Sequence, residues 1–316
     1  MQNSCLISVS TYEKSDALEG ILKSLLNNDY GRFPTVICDD GAGKPYQVTR
    51  SGNDGHPAWR LPENEGKDSI DMPSAVDIYH KYKKEFSKLA LVHGKERGGV
   101  AVNKNRGVYY YLEKTKLDYI LLLDDDILFH APGMVEEWIE VLKENTHEGP
   151  GARFSLNHLN GTWQDYDPGF FDKLRGRPMI ESRKAWDADF PIEALGNRGL
   201  EWRRGSQGCA CFYTRKAIEA IGYYDCYSKY AFEHSLMSSR ALLKVDKRSP
   251  VLYPVWDASA LFFIGNSISN NYNDSASEAE KADPFYQRRL NQEIGMGINL
   301  KVKAPGFNIK DLIILE

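Results

Sequence analysis

The chain has 316 residues and a formal net charge of −4, with 42 % hydrophobic and 27 % charged residues. Those proportions exclude a disordered or collagen-like chain, and the length suffices for one large domain or two unequal ones. Near-neutral charge argues against a nucleic-acid coat protein, and no apolar run reaches the roughly eighteen residues of a membrane span.

In chain order, Leu6 to Ser10 is a short apolar run, too brief for a signal-peptide core, and reads as a strand. Ala17, Leu18, Ile21, Leu22, Leu25 and Leu26 then form one stripe at helical spacing, so a helix is predicted from Ser15 to Leu26, with Ser15 and Asp16 as cap and first-turn charge. Thr35 to Cys38 is a β-rich run ending in Asp39-Asp40-Gly41. Thr49 to Ser74 is polar and rich in Gly and Pro, a long loop of a kind usually functional or disordered. Leu89 to Val92 reads as a strand, Val100 to Glu113 as a helix, and Tyr119 to Leu123 as an apolar strand ending at Asp124. Met134 to Leu142 is helical in pattern. Past Pro150 the pattern is less regular, with short strands at Arg153 to Leu156, Gly208 to Tyr213 and Val251 to Tyr253, and a helix starting near Phe232. Gly265 to Lys281 is rich in Asn and Ser and reads as a mobile loop.

Continuous apolar strands separated by helices imply an α/β fold with a mainly parallel sheet covered on both faces. Ligands of such sheets bind at the carboxyl ends of the strands. Two predicted strands end there in acid, at Asp39-Asp40 and at Asp124-Asp125-Asp126. Adjacent carboxylates repel unless a cation or donors compensate, and magnesium or manganese wants such oxygen ligands. A solvated acidic turn is the plainer alternative. The five cysteines, Cys5, Cys38, Cys209, Cys211 and Cys226, contain no C-x-x-C pair and no four-ligand zinc spacing, so a reducing, cytoplasmic setting is expected.

These residues carry a resemblance. Ile7-Ser-Val-Ser-Thr-Tyr12, Val36-Ile-Cys-Asp-Asp-Gly41, Gly98-Gly-Val-Ala-Val-Asn-Lys-Asn105-Arg-Gly107, the Asp triplet, Gly222-Tyr-Tyr-Asp225 and Tyr230-Ala-Phe-Glu233-His-Ser follow one another as in GT-A glycosyltransferases of the family 2 type. No one motif is specific; the ordered set resembles that family. It implies a Rossmann-like GT-A domain over 1–260, divided into a nucleotide-sugar half (1–130) and an acceptor half (131–260), with 261–316 as a C-terminal extension and active-site lid. It also implies metal-dependent transfer of a sugar from a nucleotide-sugar, UDP-linked by family habit, to a hydroxyl acceptor with inversion. A glycan or carrier-linked saccharide is the expected acceptor.

By the same resemblance, Ser10, Tyr12, Asp39, Asp40, Arg97, Lys104, Asp124 and Asp125 would hold the donor. Asp124 and Asp126, with His234 as a metal or phosphate contact, would hold Mn2+ or Mg2+. Glu233 would be the general base; its plainer alternative is a helix-start carboxylate stabilised by the dipole. Trp202 and Gly208 would face the acceptor. Other readings stay open: a transferase acting on hydroxylated bases in phage DNA, for which Lys81, Lys83, Lys84 and Lys88, or Arg175, Arg177, Arg203 and Arg204, would supply basic surface; a sugar-phosphate nucleotidyltransferase; and a non-catalytic nucleotide-sugar-binding protein.

Overall fold

The structure, a computed structural model, describes residues 4–49, 62–125, 127–129, 132–133, 135–136, 139–140, 153–155, 194–195, 200–203, 210–226, 233, 237, 251–254, 261–263 and 307–316. The expected strands all form: β1 (Cys5–Thr11), β2 (Thr35–Asp39), β5 (Leu89–His93), β6 (Tyr119–Asp124), β8 (Arg153–Ser155), β11 (Ala210–Thr214) and β12 (Val251–Pro254). Short strands not foreseen are β3 (Tyr46–Thr49), β4 (Ser69–Met72), β7 (Ile127–Phe129), β9 (Ala194–Leu195), β10 (Leu200–Arg203), β13 (Leu261–Phe263) and β14 (Ile313–Leu315). The helices are α1 (Ser15–Asn27), α2 (Ala75–Tyr82), α3 (Val100–Lys114) and α4 (Arg215–Ile221). Residues 135–136, 139–140, 233 and 237 are also helical.

The main sheet has ten strands in the order β14-β5-β2-β1-β6-β11-β8-β12-β10-β9. Its core, β5-β2-β1-β6, is parallel, whereas β11 runs antiparallel to β6 and β14 antiparallel to β5. Alternate residues of β1 serve two cores. Cys5, Ile7 and Val9 face Leu18, Ile21, Leu22 and Leu25 of α1 and Ile78, Tyr79 and Tyr82 of α2. Leu6, with Val36 and Cys38 of β2, joins Val108 and Tyr111 of α3 and Ala217, Ile218 and Ile221 of α4. This two-sided burial is why the parallel strands read as unbroken apolar runs.

Three details differ from expectation. Ser15 is the first residue of α1 and not its cap: Lys14 precedes the helix without a side-chain cap, and the Ser15 amide donates to the Tyr46 hydroxyl at 2.9 Å. The presumed loop from Thr49 to Ser74 contains β4, which pairs with β3 as a hairpin. Immediately after it, α2 opens with a capping box: Ser74 Oγ accepts from the Asp77 amide at 3.1 Å, and Asp77 Oδ2 accepts from the Ser74 amide at 2.9 Å. Finally, residues at the end of the 261–316 segment return to the main sheet, where β14 lines the outer edge of β5 and Tyr110 donates to Glu316. Among the described residues no helix is long and apolar enough to cross a membrane.

Candidate functional site

Parallel register brings the acidic strand ends together. Ser10 lies beside Asp124, Thr11 beside Asp39, and Asp39 beside His93, all at the carboxyl edge of the sheet. Ser10, Tyr12, Asp39, Asp40, Asp124 and Asp125 therefore share one edge. Asp126, His234 and Gly208 lie outside the described residues, and Trp202 is described only as backbone within β10. A shallow cleft on the α1 side of this edge is lined by Thr11, Lys14, Asp39, Lys44 and Tyr46.

The two aspartates after β2 are almost wholly buried and occupied. Asp39 accepts from the amides of Gly41 at 2.8 Å and Gly43 at 2.7 Å, which folds the turn back over the strand end. Burial pushes its carboxyl up against the lowering pull of those amides, Arg106 and His93. Asp40 accepts from the amides of Gly98 and Gly99 and from the Arg106 guanidinium, each at 2.8 Å. An ionised carboxylate has about four acceptor positions, so these contacts take most of what Asp40 can offer. Gly99 has φ +91°, a conformation glycine adopts without cost. Ser10, by contrast, keeps its hydroxyl oxygen buried with no hydrogen-bond partner among the described residues.

Successive side chains at a strand end point to opposite faces, and β6 shows it. Asp125 turns toward α1, with Oδ1 3.7 Å from Lys14 Nζ, while its Oδ2 is buried without a hydrogen-bond partner among the described residues. Burial raises its pKa to about 6, despite Lys14 and Thr11. Asp124 turns the other way, toward α3, with Oδ1 3.3 Å from Lys104 Nζ. The same ammonium lies 3.2 Å from Glu233 Oε1. Lys104 is 1 % exposed, Glu233 8 % and Asp124 32 % by side chain. Burial alone would lower the Lys104 pKa; the carboxylates of Asp124 and Glu233 outweigh it and hold the ammonium charged above its usual range.

Helix α3 organises this edge. Four consecutive polar residues, Asn103, Lys104, Asn105 and Arg106, are all buried. At about 100° per residue they fan out to four destinations. Asn103 donates to the Thr11 carbonyl at 2.9 Å, and Lys104 goes to Asp124 and Glu233. Asn105 exchanges two hydrogen bonds with the Tyr224 backbone, at 2.9 and 2.7 Å. Arg106 donates to the Asp39 carbonyl, to Asp40 and to Asn103. The helix comes this close because residue 107 is glycine: a methyl there would overlap the Ser8 hydroxyl.

Arg97, expected to reach the donor, is exposed; it stacks 3.8 Å from the Tyr12 ring centroid and lies only 3.9 Å from Asp40. Asp40's close cation is Arg106, which sequence reasoning passed over; Asn103 and Lys14 were missed as well. The signal for the first two was a run of four polar residues on a helix otherwise walled by Ala101, Val102 and Val108. In the basic stretch Lys81 to Lys88, Lys88 lies at the opposite edge, where the Thr35 amide donates to its carbonyl at 2.9 Å, and Lys81 pairs with Glu19 of α1 at 2.7 Å.

Among the described residues no three His, Cys, Asp or Glu side chains gather as a metal cage. Magnesium-like ions do not require one: they bind through one or two carboxylates, with water and phosphate completing the shell. The partly exposed Asp124 carboxylate fits that requirement.

No protein-family model matches the sequence, and no curated protein matches it. Solved structures do. The chain is 14 % identical to Staphylococcus aureus TarS (residues 1–349) with a TM-score of 0.50, covering 96 % of this chain and 76 % of that one. A second is the mannosyltransferase PcManGT of Pyrobaculum calidifontis, solved with GDP-Man and Mn2+: 14 % identity, TM-score 0.45, 96 % of this chain and 81 % of that one. The mixed sheet, its parallel core and the likeness to TarS together establish that the chain has an α/β, Rossmann-like GT-A fold.

Proposed function

We propose that this chain is a metal-dependent glycosyltransferase that moves a sugar from a nucleotide-sugar to a hydroxyl acceptor with inversion. The observation that carries it is the meeting of Asp124, at the end of a central parallel strand, with the buried carboxylate of Glu233 through one shared ammonium. A donor-side carboxylate and a candidate base thus lie on the same side of the sheet edge, as a single displacement needs. Glycosyl transfer also suits the wider edge: Tyr12 brings an aromatic ring with Arg97 stacked on it, Ser10 a buried hydroxyl without a hydrogen-bond partner among the described residues, and Asp39 and Asp40 shape the turn against which a base and ribose would rest.

In the reaction, the acceptor hydroxyl attacks the anomeric carbon as the bond to the diphosphate breaks. The nucleoside diphosphate leaves with the bonding electrons, and Glu233 takes the hydroxyl proton; a positioned base is worth about 10²- to 10⁴-fold. Asp124, with Asp126 and His234 as further candidates, would hold Mn2+ or Mg2+, which would supply Lewis-acid neutralisation of the diphosphate. The residues around Trp202 and Gly208 are assigned to the acceptor, a glycan or carrier-linked saccharide. Lys88, beside the start of β2, lies away from the active-site edge and gives no support to a DNA acceptor.

The test is a thermal-shift panel of nucleotide-sugars, each with and without manganese, since a ligand of the native state alone raises its stability. TarS has been solved with UDP-GlcNAc, which makes that donor the first to try. A manganese-dependent shift with one donor, abolished by Asp124→Asn, is expected. No shift with any donor or with manganese alone would sink the proposal.

A further inference from the structure

The sequence motif assigns Lys104 to the donor's diphosphate or ribose. Its surroundings point elsewhere. The side chain is 1 % exposed, and its ammonium lies between Asp124 Oδ1 at 3.3 Å and Glu233 Oε1 at 3.2 Å. It enters this position from α3, whose neighbouring polar residues are each tied to a different element: Asn103 to the end of β1, Asn105 to the Tyr224 segment and Arg106 to the end of β2. The backbone that carries Lys104 is thus fixed on three sides, and the helix cannot slide toward a ligand without breaking those bonds.

We propose that Lys104 is a positioning residue: it does not grip the donor but joins the donor-side carboxylate Asp124 to Glu233 and holds Glu233 Oε1 in register with the site. This rests on the reading of Glu233 as the base. A buried carboxylate and a partly exposed one this close to a single ammonium would repel each other, and the ammonium between them makes their proximity tolerable. The three groups are graded in exposure, with Asp124 outermost and Glu233 and Lys104 inside. A donor that engages Asp124 draws on the same carboxylate that shares Lys104, so its arrival is felt by Glu233 through one shared ion. Lys104 therefore acts on the chemical step through Glu233, and donor affinity owes it little.

The experiment uses the full chain and four variants: Lys104→Met, Lys104→Arg, Glu233→Gln and the double Lys104→Met/Glu233→Gln. Calorimetry measures UDP binding with manganese, and hydrolysis of UDP-GlcNAc to UDP and free sugar measures turnover with water as acceptor. Lys104→Met is expected to keep UDP affinity within about threefold while kcat falls as far as in Glu233→Gln, roughly a hundredfold or more. The double variant is expected to be no slower than the slower single, because both changes remove one function. Lys104→Arg, which retains the charge, is expected to recover part of kcat. A loss of UDP affinity of about tenfold or more in Lys104→Met, or losses that multiply in the double variant, would overturn the proposal.

Melting temperatures separate this idea from the functional reading beneath it. Lys104→Met removes the cation that two neighbouring carboxylates share, and adding Glu233→Gln removes one of those charges, so the double variant is expected to melt above Lys104→Met. If Lys104→Met does not fold, the double variant is expected to fold where it fails. Absence of that recovery sinks the Lys104–Glu233 link whether or not the protein transfers sugar. Recovery in a protein that binds UDP but hydrolyses no donor upholds the link and counts against the transferase reading instead.

Discussion

Helices α1 and α3 cover opposite faces of the same parallel strands, yet they are built on different principles. Helix α1 buries Leu18, Ile21, Leu22 and Leu25, one apolar stripe set into an apolar core. Helix α3 buries Asn103, Lys104, Asn105 and Arg106 in succession, and each has a distinct protein partner. The first face is held by transfer of hydrocarbon out of water, which is non-directional. The second adds, to an apolar contact through Val108 and Tyr111, hydrogen bonds and ion pairs that tolerate no misplacement, because an unsatisfied buried polar group is costly. Candidate chemistry clusters on the polar face: α1 supplies a floor, and α3 fixes where three strand ends and Glu233 stand relative to one another.

Removing a charge from the polar face should do the most damage. Arg106→Met leaves the Asp40 carboxylate buried without its close cation and frees the Asp39 carbonyl, so a loss of about 3–5 kcal/mol is expected in urea unfolding. It should also weaken manganese-dependent donor binding. Leu22→Ala, on the apolar face, should cost about 2–5 kcal/mol. Its donor-induced thermal shift should match that of the parent protein, and an altered shift would erase the distinction between the two faces. Gly107→Ala adds one methyl where α3 meets Ser8, and overpacking of this sort costs about 1–3 kcal/mol.

The smallest effect concerns Glu19, which binds α1 to α2 through Lys81 at 2.7 Å and Tyr82 at 2.8 Å. Burial raises its pKa, but Lys23, Lys81 and Tyr82 prevail and bring it from 4.5 down to about 2. A carboxyl group with a lowered folded pKa stabilises above its unfolded value, and that stability is lost as pH falls from about 4.5 to about 2. The group is partly exposed, so Glu19→Gln should cost no more than about 0.5 kcal/mol at neutral pH. At pH 2 the difference should vanish.

The apolar face was legible in the sequence because hydrophobic periodicity reports burial directly. β1, β2, β5, β6 and α1 are all found within a residue or so of where the pattern puts them. The acidic strand ends were legible too, since an apolar run that stops at Asp states where a strand leaves the core. What sequence could not convey is direction. It grouped Asp39 with Asp40 and Asp124 with Asp125, and the structure sends the members of each pair to different partners. It likewise named Arg97 for the donor and passed over Arg106, which nine positions on reaches Asp40 because α3 folds back along the sheet. Strand β4 was hidden in a polar, glycine-rich stretch, and α2 after it went unread although the Ser74-x-x-Asp77 capping signal marked its start.

The edge strand β14 has a consequence for synthesis. Strand β5, Leu-Ala-Leu-Val-His, is apolar up to its terminal His93, and one of its sides is closed only by residues made much later; Tyr110 and its partner Glu316 are 206 positions apart. At ribosomal rates of about 5–20 residues per second, that gap lasts roughly 10–40 seconds. During it an unpaired, uncharged β edge is on offer to any neighbouring nascent chain. The late return of β14 thus sets a window in which yield depends on translation speed and chaperone cover, and slowing translation through 120–310 should lower soluble yield without touching the finished fold.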